Sequence, residues 1–275
     1  MSKVKRKSAQ EIVAESGNAF HCKVATAFRT AGWSVTISPY YVDSATDKPR
    51  EFDLLCEKKI TWRDTWQQQH SLWYQLFVEC KYIKQPMVFW FDVRDQERSK
   101  HWLDSTTPFK SDNINHVKQH YMQAGGHVAK LFANGVQEEQ EPIYKALAQC
   151  LGGMTQGNWD TDVPSTRAQV NAAAQTTTPA LIRPSSPTLT VLRYPVIVHS
   201  DSSPLYRVEV VGGDGPPVPL TTNFVLEVNY AYVDRRGRNQ QEYFLIDVVG
   251  ISRLTDFFAT LEQEVEGAQF FISTH

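Results

Sequence analysis

The alternation of apolar and polar positions predicts a first half in which a helix precedes several strands. Apolar residues at helical spacing predict a helix over residues 11–32, with Gly17 as a candidate break. Alternation with many β-branched residues predicts a strand over residues 33–42. Two further apolar runs, over residues 51–56 and 76–81, predict strands that can pair as a hairpin.

The second half is predicted to contain more strands than helices. After helices over residues 113–133 and 141–151, apolar runs bounded by turn residues predict strands over residues 189–198, 205–211, 224–233 and 243–249 and a last helix over residues 254–265. Because strand follows strand in this part of the chain, we expect antiparallel pairing.

Composition divides the chain into three parts. Residues 152–188 are rich in Gly, Ser, Thr, Ala, Gln and Pro and lack strong apolar periodicity, which predicts a low-complexity linker or a surface excursion. Residues 1–151 are expected to form a core. Residues 189–275 are expected to form a β-rich C-terminal extension with a final helix, and its strands can complete the core sheet.

The chemistry of the chain is concentrated in the two strands of the predicted hairpin. Strand alternation places the side chains of Glu79 and Lys81 on one face, and pairing of the strands brings Asp53 beside Glu79. Magnesium usually takes one or two carboxylates in proteins, and an ammonium group can orient water or stabilise charge on a phosphate. A solvated surface ion pair is the alternative interpretation, but the surrounding sequence is strongly apolar.

An acid on one strand followed by Glu-x-Lys on the next resembles the PD-(D/E)XK nuclease superfamily. The resemblance covers about residues 10–150. It implies an α/β chain with a restriction-endonuclease-like core, in which a mixed β-sheet is flanked by helices. The family motif often has proline before the first acid, whereas this chain has Phe52 before Asp53.

The resemblance also implies a role for each residue of the motif. Asp53, Glu79 and Lys81 correspond to the catalytic residues of the family. Asp53 and Glu79 would hold Mg²⁺ or Mn²⁺, together with the backbone carbonyl of Cys80. The family often adds an acid on the first helix, for which Glu15 is the candidate, and His21 lies nearer the apolar stripe of that helix. An ordinary surface role is the alternative for Glu15 and for His21.

The activity that this resemblance implies is metal-dependent hydrolysis of DNA phosphodiester bonds, in restriction, defence or DNA repair. A homodimer is one arrangement that it suggests, because a duplex has two strands to cut. The alternatives are a catalytically inactive nuclease fold that binds DNA or protein, and an unrelated protein in which the Glu-x-Lys pair is surface chemistry.

Candidate phosphate contacts outside the motif are basic residues near strand ends. Lys84 follows the Glu-x-Lys strand, and Arg235, Arg236 and Arg238 lie in a predicted hairpin tip. Charged hairpin tips also occur for solubility alone, so these assignments remain open.

Other polar residues in apolar segments have a structural interpretation. His116 and His120 share a face of the helix predicted over residues 113–133, and His127 follows. Since the sequence places no acidic third ligand beside them, we expect helix-surface histidines rather than a metal site. Asp247 stands alone in an apolar strand, where a hydrogen-bonded structural role is usual.

Composition narrows the class of protein without naming its function. The formal net charge is -2, so nucleic-acid binding would require a local basic surface. The 4 cysteines show no Cys-x-x-Cys spacing and no signal-like segment opens the chain, which favours a reduced, cytoplasmic protein. No run reaches the ~20 apolar residues that a membrane helix needs, so no membrane contact is expected.

Overall fold

The fold is an α/β architecture built on one large mixed sheet. The computed structural model describes residues 8–15, 17–107, 119–122, 126–135, 141–159, 188–212 and 215–274. The strands are β1 (Ser34–Ile37), β2 (Tyr40–Asp43), β3 (Lys48–Glu51), β4 (Leu54–Arg63), β5 (Gln69–Lys81), β6 (Met87–Val93), β7 (His127–Ala133), β8 (Thr188–His199), β9 (Leu205–Glu209), β10 (Val218–Pro219), β11 (Phe224–Val233) and β12 (Asn239–Gly250).

Helices flank this sheet. They are α1 (Ala9–Glu15), α2 (Asn18–Thr30), α3 (Gln96–Thr106), α4 (Pro142–Gln156) and α5 (Leu254–Thr274), with short 3-10 turns at His120–Met122 and Ile251–Arg253. Among the described residues, no helix has the length and apolar character needed to cross a membrane. The predicted break in the first helix is confirmed, because Gly17 adopts a left-handed backbone with φ 71° between α1 and α2.

Within the described residues, the large sheet has 10 strands in the order β1-β4-β5-β8-β12-β11-β7-β6-β9-β10, and β2 and β3 form a separate ribbon. Strand β5 lies between antiparallel β4 and parallel β8. Most of its residues are buried on both faces, as expected for an inner strand of a mixed sheet. The strands that follow the undescribed residues 160–187 therefore continue the sheet to which β4 and β5 belong.

The predicted hairpin is confirmed, with one change at the position that matters most. Leu54 of β4 pairs antiparallel with Val78 of β5. However, β3 ends at Glu51 and β4 begins at Leu54, so Asp53 lies in the connection just before the strand. Because Asp53 lies outside the paired strand, its side chain does not have to follow the alternation of β4 and can point toward the end of β5.

The single strand predicted over residues 33–42 is wrong, because the chain bends within it. Ser38 has a positive φ of 53° and Pro39 follows, which ends β1 and starts β2 in a different sheet. The bend is tied to the candidate site, since the Ser38 N–H donates to the Asp53 carbonyl at 2.8 Å and the Phe52 N–H donates to the Pro39 carbonyl at 3.2 Å.

The helix predicted over residues 113–133 is also wrong in the part of this range that the structure describes. Residues 127–133 form β7, which pairs antiparallel with β6, and residues 113–118 lie outside the described part. The apolar side chains of Val128 and Phe132 suit helical spacing, but a short run of this kind also fits a strand. Gly126, with φ 36°, separates β7 from the 3-10 turn that precedes it.

Antiparallel pairing of the later strands is confirmed only in part. Strands β11 and β12 form an antiparallel hairpin, and so do β9 and β10. Strand β8 instead pairs parallel with β5 and with β12. Its nearly continuous apolar sequence suits an inner strand, which pairs with another strand on each side and has both faces covered.

Helix α4 extends to Gln156, beyond the predicted start of the linker. Glu141 caps its first turn by accepting the backbone N–H groups of Ile143 and Tyr144. Within the last turns, Gly153 permits close packing, since a Cβ there would lie 2.7 Å from the ring of Phe52. Glycine at this position therefore lets α4 approach the residue that precedes Asp53.

Candidate functional site

The residues of the predicted motif come together at the end of the β4–β5 hairpin. The Oδ2 atom of Asp53 accepts the backbone N–H of Cys80 at 2.7 Å. In return, the backbone N–H of Asp53 donates to Oε1 of Glu79 at 3.1 Å. Lys81 Nζ donates to Oε2 of Glu79 at 2.6 Å. The backbone thus holds both carboxyl groups in place beside one ammonium group.

Glu79 is the least accessible member of this cluster, with 0% of its surface exposed. Burial raises the pKa of Glu79, the charge of Lys81 lowers it and the charge of Asp53 raises it, with a net value of about 8. Burial lowers the pKa of Lys81, but the carboxylate of Glu79 outweighs this and leaves that pKa above its usual value.

The raised pKa of Glu79 and the raised pKa of Lys81 imply opposite protonation states of Glu79. A raised pKa of Lys81 corresponds to a charged partner, whereas burial of Glu79 favours its neutral form. The contact of 2.6 Å has the length of a charge-assisted hydrogen bond, so the ion pair is the state that the geometry describes. A buried carboxylate of this kind needs a cation beside it.

Two helices contribute residues that the motif does not contain. From α2, the Nε2 atom of His21 lies 3.5 Å from Asp53 Oδ2. From α4, Gln149 Oε1 accepts Lys81 Nζ at 3.2 Å, and its Nε2 donates to the carbonyl of Glu51 at 3.2 Å. The structure therefore favours a place beside the site for His21 over an ordinary surface role.

Gln149 was missed by sequence reasoning. It lies in an amphipathic helix between the buried residues Leu147 and Cys150, and no spacing rule connects it to Lys81. The only signal in the sequence is a polar residue next to the apolar face of α4. Such a signal is too common to select one residue.

The side chain of Cys80 has the wrong chemistry for a magnesium ligand. Cys80 is buried at 4% exposure, and burial raises the pKa of its thiol well above the usual value. A neutral thiol is a poor ligand for a hard cation, so only backbone atoms of Cys80 suit such a site.

The remaining predicted residues lie farther from the cluster or outside the described side chains. Glu15 is the last residue of α1, and its side chain lies outside the described part. Lys84 is exposed, with Nζ 5.7 Å from the ring centre of Tyr82. This contact places the Lys84 ammonium over an aromatic ring.

The basic hairpin tip joins β11 to β12. Arg238 pairs with Asp234 at 2.6 Å, and the Arg236 N–H donates to the same carboxylate. Arg235 Nε donates to the carbonyl of Gln156 at 3.0 Å, which ties the tip to the end of α4. The tip is therefore held against α4, and the guanidinium of Arg238 already forms an ion pair with the carboxylate of Asp234.

The donor set of the cluster suits a hard divalent cation. Asp53 and Glu79 supply carboxylate oxygens, and one or two carboxylates are what Mg²⁺ usually takes from a protein. The backbone carbonyl of Cys80 is the further ligand that the resemblance implies. In the part of the chain that is described, no group of ≥ 3 His, Cys, Asp or Glu side chains is arranged to hold a metal ion. An ion at this position would therefore keep water or phosphate in its remaining coordination positions.

A second polar cluster lies in the core, and the expectation of surface histidines was wrong for His120. Its imidazole is 4% exposed and lies between the carboxylates of Asp247, at 3.2 Å, and Glu264. Tyr121 donates to Asp247 at 2.8 Å, and Tyr194 donates to Glu264. Asp247 thus has the hydrogen-bonded role that its position predicts. His127 lies on β7, and His116 lies outside the described residues.

Charge balance explains why His120 is held there. Burial alone lowers the pKa of His120, but the adjacent carboxylates outweigh it and raise the pKa to about 10. An imidazolium between the carboxylates ties α5, which carries Glu264, to β12, which carries Asp247. Sequence reasoning missed the cluster because its members are far apart in the chain.

Comparison with known proteins finds no match to this chain among protein-family models, curated proteins or solved structures.

Proposed function

We propose that this chain is a divalent-metal-dependent nuclease that hydrolyses DNA phosphodiester bonds, on a core of the restriction-endonuclease-like type. The observation that carries the proposal is the hydrogen-bonded cluster of Asp53, Glu79 and Lys81 at one end of a hairpin in a mixed sheet. The motif order in the sequence and the convergence of these side chains in space support the same chemistry.

In the proposed reaction, a water oxygen forms a bond to phosphorus and a P–O ester bond breaks. Asp53 and Glu79 would hold Mg²⁺ or Mn²⁺, and the ion would supply the charge that polarises the phosphoryl oxygen. Lys81 has an ammonium group that can donate to the attacking water or to a phosphate oxygen. The attacking water releases one proton to solvent, and the departing ester oxygen takes one proton from solvent, so the protons balance.

His21 and Gln149 have positioning roles in this proposal. Gln149 accepts a second hydrogen bond from the ammonium of Lys81, beside the one that Glu79 accepts, and together these bonds restrict the direction of the remaining N–H donor. His21 adjoins Asp53 and can exchange a hydrogen bond with water held at that carboxylate.

The proposal is tested by cleavage of DNA substrates with magnesium or manganese, with and without a chelator. We expect Glu79→Gln and Lys81→Ala each to lower the cleavage rate by about 10²–10³-fold. Lys59→Ala is the matched control, because Lys59 is exposed on the same hairpin, and its rate should equal that of the unaltered protein.

The outcome separates the proposal from its principal alternative. Metal-dependent cutting that both substitutions abolish would support the nuclease. DNA binding without cutting, unchanged by either substitution, would instead indicate an inactive nuclease fold that serves as a binding module.

A further inference from the structure

An open cleft of about 680 Å³ adjoins the candidate site on the side of α4. We call it the tyrosine cleft and define it by Tyr40, Arg50, Tyr144, Lys145 and Tyr230. It lies between the β2–β3 ribbon, the outer face of α4 and strand β11.

The tyrosine cleft is connected to the site through residues that belong to both. Gln149 lines the cleft and accepts the Lys81 ammonium at 3.2 Å. Glu51 also lines the cleft and lies close to Asp53 in the chain. A ligand that fills the cleft would therefore contact Gln149, the residue that accepts the Lys81 ammonium.

Exposed aromatic rings line the walls of the cleft. Tyr40 is 65% exposed and Tyr144 is 42% exposed, and these are large exposed fractions for aromatic side chains. The hydroxyl of Tyr40 lies against the carboxylate of Glu51, which fixes the direction of its ring. Tyr230 is backed by Tyr232, with ring centres 6.0 Å apart and planes at 18°. Such rings form platforms on which the faces of bases can stack.

Basic side chains stand at the edge of the same cleft. Lys145 is exposed on α4, and Arg50 is half exposed beside Asp43. At the far end, Arg235 is held against the carbonyl of Gln156, which also lines the cleft. Asp43 and Glu51 also line the cleft, where Asp43 pairs with Arg50 at 3.4 Å and Glu51 bonds to the hydroxyl of Tyr40, so the cationic edge rests on Lys145 and Arg235. Aromatic walls with a cationic edge are the combination that binds unpaired nucleic acid, because the backbone meets the charges while the bases meet the rings.

The rings of the cleft favour an unpaired strand over a duplex. The volume of the cleft lies within the ~300–1,000 Å³ of pockets that accept small organic ligands, which is room for unstacked nucleotides. In a duplex, the faces of the bases are covered by their neighbours and cannot reach the tyrosine rings.

From these observations we propose that the tyrosine cleft binds unpaired DNA next to the site, and that the substrate is single-stranded DNA or the single-stranded part of a branched molecule. The assignment of a substrate rests on the proposed nuclease function. Binding in the cleft is a separate property that can be measured without cleavage.

The test is the binding of a short fluorescent oligothymidine, measured by anisotropy in a chelator, and of the same strand paired with its complement. We expect the single strand to bind more tightly than the duplex. Tyr144→Ala should weaken binding of the single strand by about 5- to 150-fold, the range expected for one lost stacking contact. The double variant with Tyr40→Ala should weaken it further.

Matched variants separate stacking from other effects. Tyr144→Phe keeps the ring and should retain binding. Trp66→Ala removes an aromatic ring that is 80% exposed at the tip of the β4–β5 hairpin, and it should leave binding unchanged. Lys145→Ala should weaken binding and reduce its dependence on salt. Circular dichroism of each variant checks that the fold is retained.

The outcomes distinguish failure of the cleft from failure of the nuclease. Equal binding of duplex and single strand, or no effect of Tyr144→Ala in a folded variant, overturns the cleft proposal even if magnesium-dependent cutting is found. Binding that depends on the tyrosines without cutting supports the cleft as a binding site and overturns the nuclease. Tighter binding of an RNA strand of the same sequence than of the DNA strand overturns the assignment to DNA.

Discussion

At the scale of single residues, alternation along a strand was enough to select the central cluster. Glu79 and Lys81 are separated by one residue and must share a face if they lie in a strand, and Asp53 immediately precedes Leu54, which pairs with Val78 next to Glu79. His21 and Gln149 could not be selected in this way. Each lies on a helix, and its contact with the cluster depends on how that helix packs against the sheet.

The first prediction concerns the buried ion pair. Lys81→Met leaves the carboxylate of Glu79 buried without its cation, so we expect the free energy of unfolding to fall by about 3 kcal/mol in a chelator. Magnesium should restore part of this loss by binding the folded state. Urea unfolding with and without magnesium measures both effects.

The control for this prediction is Lys59→Met on the exposed face of β4, which should change the free energy of unfolding by less than ~0.5 kcal/mol. A loss for Lys81→Met as small as that of the control would mean that buried Glu79 is protonated and forms no ion pair in the folded state. No recovery with magnesium would count against an ion at Asp53 and Glu79.

At the scale of elements, the hairpin and the last helix could be predicted, whereas other elements depended on context. Residues 127–133 have apolar positions that fit both periods, and their pairing with β6 makes them a strand. Residues 33–42 alternate throughout, but a positive φ at Ser38 divides them between sheets. The local propensities of residues 127–133 and 33–42 predict neither outcome.

The second prediction concerns the contact of α4 with Phe52. Gly153→Ala places a methyl group 2.7 Å from the ring, so α4 must move outward. We expect the free energy of unfolding to fall by about 1–3 kcal/mol, although alanine is the better helix former. Cleavage should also fall, since the same helix carries Gln149. Urea unfolding and the cleavage rate measure the effects.

A double variant checks the cause. Phe52→Leu shortens the obstructing side chain, so the combined loss of Gly153→Ala and Phe52→Leu should be smaller than the sum of the single losses. Simple additivity of the single losses would show that this contact does not limit the position of α4.

At the scale of the whole molecule, the sheet order could not be predicted from the sequence. Strand β8 inserts between β5 and β12, so strands from distant parts of the chain become neighbours. The buried cluster around His120 arises in the same way, because Asp247 and Glu264 come from β12 and α5. Pattern reasoning identifies elements, but it does not reveal which distant elements meet.

The third prediction is an alkaline loss of stability that depends on His120. The folded-state pKa of about 10 lies above the ~6.5 of an unfolded chain. The contribution of His120 to stability is therefore complete below about pH 6.5 and is lost as the pH rises through about 10. Urea unfolding of the unaltered protein should show a falling free energy between pH 7 and pH 10.

The matched variant for this prediction is His120→Gln. It leaves the carboxylates without their cation and should lower the free energy of unfolding at neutral pH by about 3–5 kcal/mol. It should also flatten the alkaline decline relative to the unaltered protein. Parallel pH curves for the two proteins would contradict a charged His120 in the folded state.

The measurement that tests the central claim most directly is the initial rate of cleavage of single-stranded DNA as magnesium is titrated, for the unaltered protein and for Asp53→Asn. We expect a rate that rises and saturates with magnesium in the unaltered protein and is lower by about 10²–10³-fold in Asp53→Asn. Cutting by the variant at the unaltered rate, or no magnesium-dependent cutting by the unaltered protein, would contradict the assignment of Asp53, Glu79 and Lys81 as a nuclease site.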